Sequence, residues 1–360
     1  MAPWEFSGYA AWARHPHWRR LGAASPGIRR YDCAMSARAD QGRYTPDPDQ
    51  MALWPDVSGN AINGLSETAP RRPSPVYWHE PDTIPHGPLQ SWFYSRYTQS
   101  ADVVAARARR QEIIDRPLPD IAPVQRRDSP AQWSALIKDM AKTFGADDAG
   151  IARMDASWIF EGRDQEEWKW AVVIAVAHDY EALKTAPGDA AATEVVNQYG
   201  RALKVVKDLT GWIRDQGWTA DLKGGPMAGS MVMIPAAIGA GLGELGRHGS
   251  MIHRTFGANF RLALVLTDLP LAADGADVFG ADDFCTSCRV CSDACPPQAI
   301  ADHKQWVRGA EKWYVDFDKC LPFFNENKGC AICIAVCPWS RPGVAETLVK
   351  KMARRRARAG

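Results

Sequence analysis

The chain has 360 residues, which is enough for one large domain or two ordinary ones with a substantial core. Its 43 Lys and Arg residues nearly balance 42 Asp and Glu residues, so the overall charge does not favour binding to nucleic acid or lipid. No run of about 18 apolar residues occurs, and the first residues, "MAPWEFSGYAAWARHPHWRR", lack the pattern of an export signal. The composition therefore predicts a soluble, cytoplasmic protein that does not bind membranes.

The first predicted region, residues 1–130, is rich in Pro, Arg, Trp and Gly. One convincing helix is predicted there, at "SADVVAARARRQEIID". A stretch of this composition either wraps around another domain or is partly disordered. Its many tryptophans favour wrapping, because large aromatic side chains need apolar surface to contact.

The second predicted region, residues 131–275, has regular hydrophobic patterns. Ser129 is placed to cap a helix that presents Trp133, Ile137 and Met140 at helical spacing. "KWAVVIAVAH" and "FRLALVLTDLPL" are typical of buried strands, and "VVNQYGRALKVVKDLTGWIRDQGW" is typical of a long amphipathic helix, with Val195 in its apolar stripe. Strands and helices in this mixed order predict an α+β fold.

The third predicted region, residues 276–345, holds eight of the nine cysteines. Thiols packed this densely indicate metal binding and not disulfides. The two groups read C-x2-C-x2-C-x3-C-P and C-x9-C-x2-C-x3-C-P, the run of a bacterial ferredoxin with two 4Fe-4S clusters. The ninth cysteine, Cys33, is predicted to be a plain thiol.

The spacing also predicts how the clusters share their ligands. Three close thiols reach three irons of one cube, and the proline after the fourth thiol ends the turn, so that this thiol reaches the other cube. The predicted ligands are Cys285, Cys288, Cys291 and Cys337 for one cluster, and Cys320, Cys330, Cys333 and Cys295 for the other. Structural zinc is the alternative, but zinc prefers pairs of C-x2-C.

A literal G-x-G-x-x-G stands at Gly241, Gly243 and Gly246, with Asp268 at a strand end further on. This arrangement is also seen in dinucleotide-binding folds. However, two more glycines interrupt "ELGRHGSMIHRTFGANF", which would have to be the crossover helix. We therefore expect the glycines to let the backbone approach another flat cofactor.

Four segments in this order resemble the cobalamin-dependent reductive dehalogenases: "AGLGELGRHGSMI", "FRLALVLTDLPL", "FCTSCRVCSDACP" and "CAICIAVCPWS". The resemblance covers roughly residues 130–342. The chain is similar, more distantly, to epoxyqueuosine reductase, which acts on tRNA. The segment "GELGR" and the second cysteine group favour the dehalogenases.

The resemblance implies a nitroreductase-like α+β core that binds cobalamin, followed by a ferredoxin-like segment with two clusters. It implies a corrinoid without a histidine ligand, and the D-x-H-x-x-G motif that supplies such a ligand is indeed absent from the sequence. Besides the three glycines, Trp313 and Tyr314 are candidates to pack against the corrinoid.

Three catalytic residues are implied by the same resemblance. Tyr199, in "QYGRALKVVKDLTGWIRDQGW", matches the tyrosine that gives the proton, and Arg261 matches the active-site arginine. Lys223 is the candidate for a third polar group, which is asparagine or lysine in the family. A free phenol titrates near 10, and a neighbouring cation that favours the phenolate makes it a better acid.

The basic residues also have structural alternatives. Arg261 could instead pair with an acid such as Asp268 or Glu244, and Glu244 could form a structural pair with Arg247. The basic tail, residues 346–360, is expected to be a solvated helix end, with docking to an acidic partner or RNA as the alternative.

The predicted reaction is R-X plus two electrons and a proton, giving R-H and halide. The substrate is an organohalide, and an external ferredoxin, flavodoxin or reductase is expected to supply the electrons. Two alternatives stay open: an epoxyqueuosine reductase-like enzyme of tRNA modification, and a non-catalytic corrinoid or electron carrier.

Overall fold

The computed structural model describes residues 44–163, 168–226 and 229–359. Cys33 and the first part of the Pro- and Trp-rich region lie outside the described residues. The helices are α1 (Pro48–Met51), α2 (Gly59–Ile62), α3 (Gly87–Tyr97), α4 (Ala101–Asp115), α5 (Pro130–Thr143), α6 (Tyr180–Leu183), α7 (Asp189–Asp215), α8 (Met233–Gly239), α9 (Ala281–Ser287), α10 (Val290–Asp293), α11 (Phe317–Glu326), α12 (Ile332–Ala335) and α13 (Val344–Ala359). No helix in these ranges is long and apolar enough to cross a membrane.

The strands form one central sheet and two small hairpins. Their bounds are β1 (Asp148–Arg153), β2 (Trp170–Ala177), β3 (Ala220–Gly224), β4 (Glu244–Leu245), β5 (Met251–Ile252), β6 (Phe260–Thr267), β7 (Gln305–Val307) and β8 (Ala310–Lys312). Short 3-10 turns occupy Pro81–Thr83, Ala156–Trp158 and Pro338–Ser340. The central sheet has the order β1-β2-β6-β3, and the other strands pair as β4-β5 and β7-β8.

The central sheet is covered on both faces, as its uninterrupted apolar strands predict. Because side chains alternate along a strand, Ala263 and Val265 of β6 face helices α5 and α7, whereas Leu264 and Leu266 face helix α8. All neighbouring strands are antiparallel. The α+β class is therefore confirmed, and a parallel dinucleotide-binding unit is absent from the described sheet.

The long helix α7 and the capped helix α5 both form where the sequence predicts them. Ser129 and Gln132 make a reciprocal capping box at the start of α5. Helix α7 begins six residues before the predicted segment, and Leu209 lies in its fully buried stripe. Val195, predicted in that stripe, is half-buried, and its neighbour Val196 is buried instead.

The described part of the N-terminal region contacts both the sheet domain and the cysteine-bearing segment. Helix α4 packs along α7, and Gln50 donates to the carbonyl of Pro322 in α11, the helix that carries Cys320. Tyr77 donates to Asn325 of the same helix at 2.9 Å. The region holds three helices that the sequence did not predict, α1 to α3, because Pro and Gly within or beside them obscure the helical pattern.

Glu244 joins the sheet domain to the cysteine segment through a helix end. Its buried carboxylate accepts the backbone N–H groups of Phe279, Gly280 and Ala281 at 2.9, 2.7 and 2.8 Å. These groups lie at the start of α9, where unpaired N–H groups and the helix dipole favour a negative charge. Helix α9 carries Cys285.

Arg247 holds the other end of the same helix. Its guanidinium donates to the carbonyl of Cys285 at 3.0 and 2.7 Å and to that of Thr286 at 3.1 Å. It also lies over the ring of Trp313 at 4.6 Å. The expected Glu244–Arg247 pair is therefore wrong: each side chain binds the cysteine segment, because each satisfies backbone groups left open at an end of α9.

We predict that Glu244→Gln destabilises the protein by about 2 kcal/mol, because a neutral amide replaces the charge in three charge-assisted hydrogen bonds. Denaturant unfolding of the protein with its iron bound measures this difference. The matched control is Glu346→Gln, at an exposed acid in α13, which should change stability by less than about 0.5 kcal/mol. Equal stability of the two variants would contradict the role given to Glu244.

Candidate functional site

A cavity of about 180 Å³ lies where α3, α4, the first half of α7 and the loop before α12 meet. Aromatic and aliphatic side chains form most of its wall, with a few cations among them. The aromatic residues in the wall are Trp78, Phe93, Tyr94, Tyr97, Tyr199 and Phe324. The cavity thus joins the N-terminal region, the sheet domain and the cysteine segment at one place.

Tyr199 and Arg261 meet in this cavity. The guanidinium carbon of Arg261 lies 4.9 Å from the centre of the Tyr199 ring. Arg261 reaches this position because it shares the parity of Ala263 and Val265 on β6, so its side chain leaves the sheet on the α7 face. Its buried Nε has no hydrogen-bond partner among the described residues.

The Tyr199 ring lies directly on the backbone of Gly225. A Cβ at Gly225 would stand 2.4 Å from Cε1 of the ring, so only glycine permits this approach. The carbonyl of Gly225 accepts a hydrogen bond from Arg110 at 2.7 Å. The helix, the loop after β3 and α4 therefore fix the ring together.

The charged groups in the cavity wall are all positive. They are Arg107, Arg110, Arg261 and Lys328, and no carboxylate lines the cavity within the part of the chain that the structure describes. Arg107 lies over the Tyr94 ring at 4.8 Å, and Lys328 pairs with Asp189 at the start of α7. A cavity with this lining favours a flat, negatively charged molecule.

Behind Arg261 lies a buried pair, His178 and Glu194. The two side chains approach to 3.7 Å, between His178 Nδ1 and Glu194 Oε1. Burial, and to a lesser degree the charge of Arg261, lowers the pKa of His178 to about 4, and Glu194 opposes this only in part. His178 is thus neutral near pH 7. No sequence motif indicates this pair, because it arises where the residue after β2 packs against α7.

The structure does not bring Lys223 into the cavity wall. Its Nζ pairs with Asp221 at 2.9 Å, two residues earlier on the same strand, β3. Since successive odd positions of a strand share a face, this pairing follows from local geometry. The role of Lys223 as the third polar group stays a prediction. Arg110 and Lys328 are cations that line the cavity wall itself.

The candidate cofactor residues also lie away from this cavity. A Cβ at Gly241 or Gly243 would meet the backbone oxygen of Gly275 or Ile252, at 2.8 and 2.2 Å, so these two glycines allow close packing of protein on protein. A Cβ at Gly246 would meet the ring of His248.

The two aromatic candidates are held by polar partners. Trp313 donates to Asp282 at 2.7 Å, and the Tyr314 hydroxyl bonds Asn60 at 2.9 Å. Burial raises the pKa of Tyr314 to about 12. Contact of these five residues with a corrinoid stays a prediction.

The eight thiols of the cysteine segment are free. Burial, with smaller contributions from Cys285, Cys291 and Cys288, raises the pKa of Cys337 to about 12. Burial, with smaller contributions from Cys330 and Cys295, likewise raises the pKa of Cys320 to about 12. These neighbours are compatible with the crossover that the spacing predicts, and the assignment of the thiols to two clusters stays a prediction.

The thiol set fits iron-sulfur clusters. Burial disfavours free thiolates, and it raises the pKa of both Cys330 and Cys291 to about 12. Bound iron would supply the compensating positive charge. Three successive cysteines at x2 spacing, in the first motif, suit a cube of four irons better than the paired C-x2-C ligands that zinc prefers.

Cys330 belongs both to a thiol group and to the cavity wall. It stands in the loop before α12, where Cys330 and Ala331 adopt positive φ values of 47° and 67°. A cluster held by Cys320, Cys330, Cys333 and Cys295 would therefore adjoin the cavity, and the other cluster would lie further away.

The fit to cobalamin is less direct. The enclosed volume, about 180 Å³, is below the roughly 300–1,000 Å³ of most small-molecule sites. It has room for a molecule of one aromatic ring. A corrinoid is larger than this space, so the walls would have to separate to admit one.

Comparison with known proteins agrees with this geometry. The family model for a 4Fe-4S dicluster domain matches residues 284–340. A tetrachloroethene reductive dehalogenase from Desulfitobacterium hafniense is 29% identical over 283 residues, which cover 70% of this chain and 50% of that protein. The chain is similar to the reductive dehalogenases. It spans about half the length of such curated relatives.

A solved reductive dehalogenase shares the fold. This catabolic enzyme, crystallised with 3-bromo-4-hydroxybenzoic acid, superposes with a TM-score of 0.70 at 22% identity, covering 85% of this chain and 48% of its own. The nitroreductase-like core with a C-terminal ferredoxin-like segment is therefore confirmed as the fold. Epoxyqueuosine reductase is the more distant relative: the protein from Leadbetterella byssophila is 36% identical over 118 residues, 28% of this chain and 34% of that one.

The aromatic wall of the cavity was not predicted from the sequence. Phe93, Tyr94 and Tyr97 belong to α3, within "WFYSRY". Such an aromatic run signals burial against another surface, but only the fold shows that the surface is the site containing Tyr199.

We predict that paired cysteine variants of the iron-loaded protein will reveal the crossover. Cys295→Ser with Cys330→Ser removes two ligands of one cluster and should leave about four of about eight irons. Cys337→Ser with Cys330→Ser removes a ligand from each cluster and should leave almost none. Iron analysis and electron paramagnetic resonance measure the result.

If each motif held its own cluster, the two outcomes would be exchanged. Cys33→Ser is the control, and it should retain about eight irons, since a plain thiol is predicted at that position.

We also predict a pH effect from His178. The unfolded chain binds a proton at this residue below about pH 6.5, whereas the folded chain excludes it down to about pH 4. The free energy of unfolding therefore decreases as the pH falls through this window, by up to about 1.4 kcal/mol per pH unit. In His178→Gln, the dependence of the free energy of unfolding on pH should be weaker by up to the same amount. Denaturant unfolding at several pH values measures this dependence. Exposed His303 provides the control, His303→Gln, whose slope should match that of the unaltered protein.

Proposed function

We propose that this protein is a reductive dehalogenase that removes halide from an organohalide, in the reaction R-X plus two electrons and a proton giving R-H and X⁻. The observation that supports this most directly is the contact of Arg261 with Tyr199 in a cavity whose wall includes Cys330. The cavity thus has a proton donor, a fixed cation and a neighbouring electron carrier in one place.

Tyr199 supplies the proton to the carbon from which the halide leaves. Its O–H bond breaks as the new C–H bond forms, and a phenolate remains. The guanidinium of Arg261, 4.9 Å from the ring, stabilises that negative charge without moving, since it is already in position. Both residues sit on regular elements, α7 and β6, so their geometry is rigid.

The substrate class follows from the lining of the cavity. Four cations, no carboxylate among the described lining residues, and many aromatic rings favour an anionic aryl halide, such as a halogenated phenolate or benzoate. A volume of about 180 Å³ suits one ring. The solved relative that carries 3-bromo-4-hydroxybenzoic acid is consistent with this choice.

The electrons arrive singly through the clusters. The cluster that includes Cys330 adjoins the cavity and would be the last iron-sulfur carrier before the substrate site. The cluster that includes Cys337 would receive electrons first, because its thiols do not line the cavity. A 4Fe-4S cluster exchanges one electron at a time, so two passages complete one turnover.

Cobalamin is part of this proposal through the resemblance to the dehalogenases. When bound, it supplies a strongly reducing cobalt centre for cleavage of the carbon–halogen bond. Protein purified without oxygen after expression with cobalamin should contain about one cobalt together with about eight irons. Iron without cobalt would overturn this part of the proposal.

We predict that Tyr199→Phe lowers kcat for debromination of 3-bromo-4-hydroxybenzoate by about 10²–10⁴-fold, the range that a general acid contributes. KM should change little, because the ring and the cation remain. Halide release under anaerobic conditions with a chemical reductant measures both constants, at equal iron and cobalt contents.

Tyr97→Phe is the matched comparison, since Tyr97 lines the same cavity and its buried hydroxyl has its pKa raised, mainly by burial. Its loss should lower kcat far less than the loss of the Tyr199 hydroxyl. Equal effects would mean that Tyr199 is not the acid. If the clusters of the unaltered protein accept electrons and no halide is released, the chain is an electron carrier instead.

A further inference from the structure

The C-terminal helix α13 concentrates the positive charge of the protein. It carries six Lys and Arg residues and one acid, Glu346. The whole chain has a formal net charge of +1, so acidic residues outnumber basic ones by four outside this helix. The charge is therefore local, and a charged partner would meet it as a patch.

Helix α13 packs against the segment that carries the first cysteine motif, which begins at Cys285. Met352, on its inner face, is buried in the same apolar cluster as Cys285 and Cys337. A Cβ at Gly280 would lie 2.9 Å from that of Met352, so the helix touches the start of α9. Arg355 lies 3.9 Å from Asp283, two residues before Cys285.

The outer face of the helix has cations without internal partners. Lys350, Lys351, Arg354 and Arg358 are exposed, and no ion pair or hydrogen bond of their side chains occurs within the described part of the chain. Val278, whose carbonyl accepts a hydrogen bond from Arg356, is 65% exposed beside them. An exposed apolar residue next to unpaired charges is typical of a weak docking surface.

We propose that α13 is the docking surface for an acidic, ferredoxin-type electron carrier, which delivers electrons to the cluster held by Cys285, Cys288, Cys291 and Cys337. The proposal rests on the proposed function, in which this cluster is the entry point. In each encounter one electron leaves the ferredoxin and reduces this cluster by one electron, and no bond or proton is exchanged. Complementary charge brings the carrier to the cluster quickly, and a small interface lets it leave.

An acidic protein suits this surface better than RNA does. Proteins that read RNA stack bases on aromatic side chains, and α13 contains no aromatic residue. A protein carrier docked on α13 would also lie close to the cluster that it reduces.

The test compares two variants with the same change in net charge, both loaded with iron. One is Lys350→Glu with Lys351→Glu, Arg354→Glu and Arg358→Glu. The other reverses four exposed cations of the sheet domain: Arg127→Glu, Lys142→Glu, Arg153→Glu and Lys169→Glu. The probe is a chemically reduced acidic [2Fe-2S] ferredoxin, and stopped-flow absorbance follows cluster reduction without any organohalide.

At about 20 mM salt, the second-order rate constant should fall at least about tenfold in the α13 variant and less than about twofold in the sheet-domain variant. The difference should disappear near about 0.5 M salt, because the charges are then screened. Calorimetry with oxidised ferredoxin should show the same loss of binding. A small neutral photoreductant should reduce the clusters of both variants at equal rates.

Equal slowing in both variants, or none in the α13 variant, would overturn the proposal. So would binding of a tRNA stem-loop that is lost in the α13 variant while its ferredoxin rate stays unchanged. If the fourfold reversal reduces the iron content, replacement of the same four residues by Gln should still slow the reaction, by an intermediate factor. This test measures cluster reduction and not halide release. Its result can therefore be interpreted even if the protein does not dehalogenate the substrate.

Discussion

The arrangement of the site depends on one carboxylate. Glu244 accepts three backbone N–H groups at the start of α9, and α9 carries the first cysteine of the cluster segment. The guanidinium of Arg247 and the pair of Lys328 with Asp189 also join the two parts, but only Glu244 places a buried carboxylate on the start of α9. A buried charge at a helix end is costly unless it is fully satisfied, and here the open N–H groups of the helix satisfy it. The same interaction therefore orients the thiols and stabilises the carboxylate.

The cavity is a consequence of this docking. The sheet domain contributes Tyr199 and Arg261, and the cysteine segment contributes the loop with Cys330. The N-terminal region closes the remaining side with α3, whose aromatic rings also pack against Phe324 of α11. Because three parts of the chain form the wall, a small shift in any of them would change the cavity. A larger cofactor would have to enter at these junctions, since the sheet itself is close-packed.

The sequence predicted best what depends on local spacing. The strand parity of Arg261 follows from the alternation in "FRLALVLTD", and the capping box of α5 follows from Ser129 and Gln132. It predicted least what depends on packing between distant segments. Lys223 illustrates the limit: a lysine in the expected region pairs with Asp221 on its own strand, and only the fold shows which cations reach the cavity.

The charge distribution completes the path of the electrons. The cavity is lined by cations, which would attract an anionic substrate, while the exposed cations of α13 belong to a helix that packs against α9. Two positive surfaces on one molecule could compete for the same anionic molecules. They differ in shape: the cavity has room for one aromatic ring, whereas the helix presents an exposed surface suited to a protein. Under both proposals, substrate and electron donor would therefore be kept apart by geometry, although both would be recognised through negative charge.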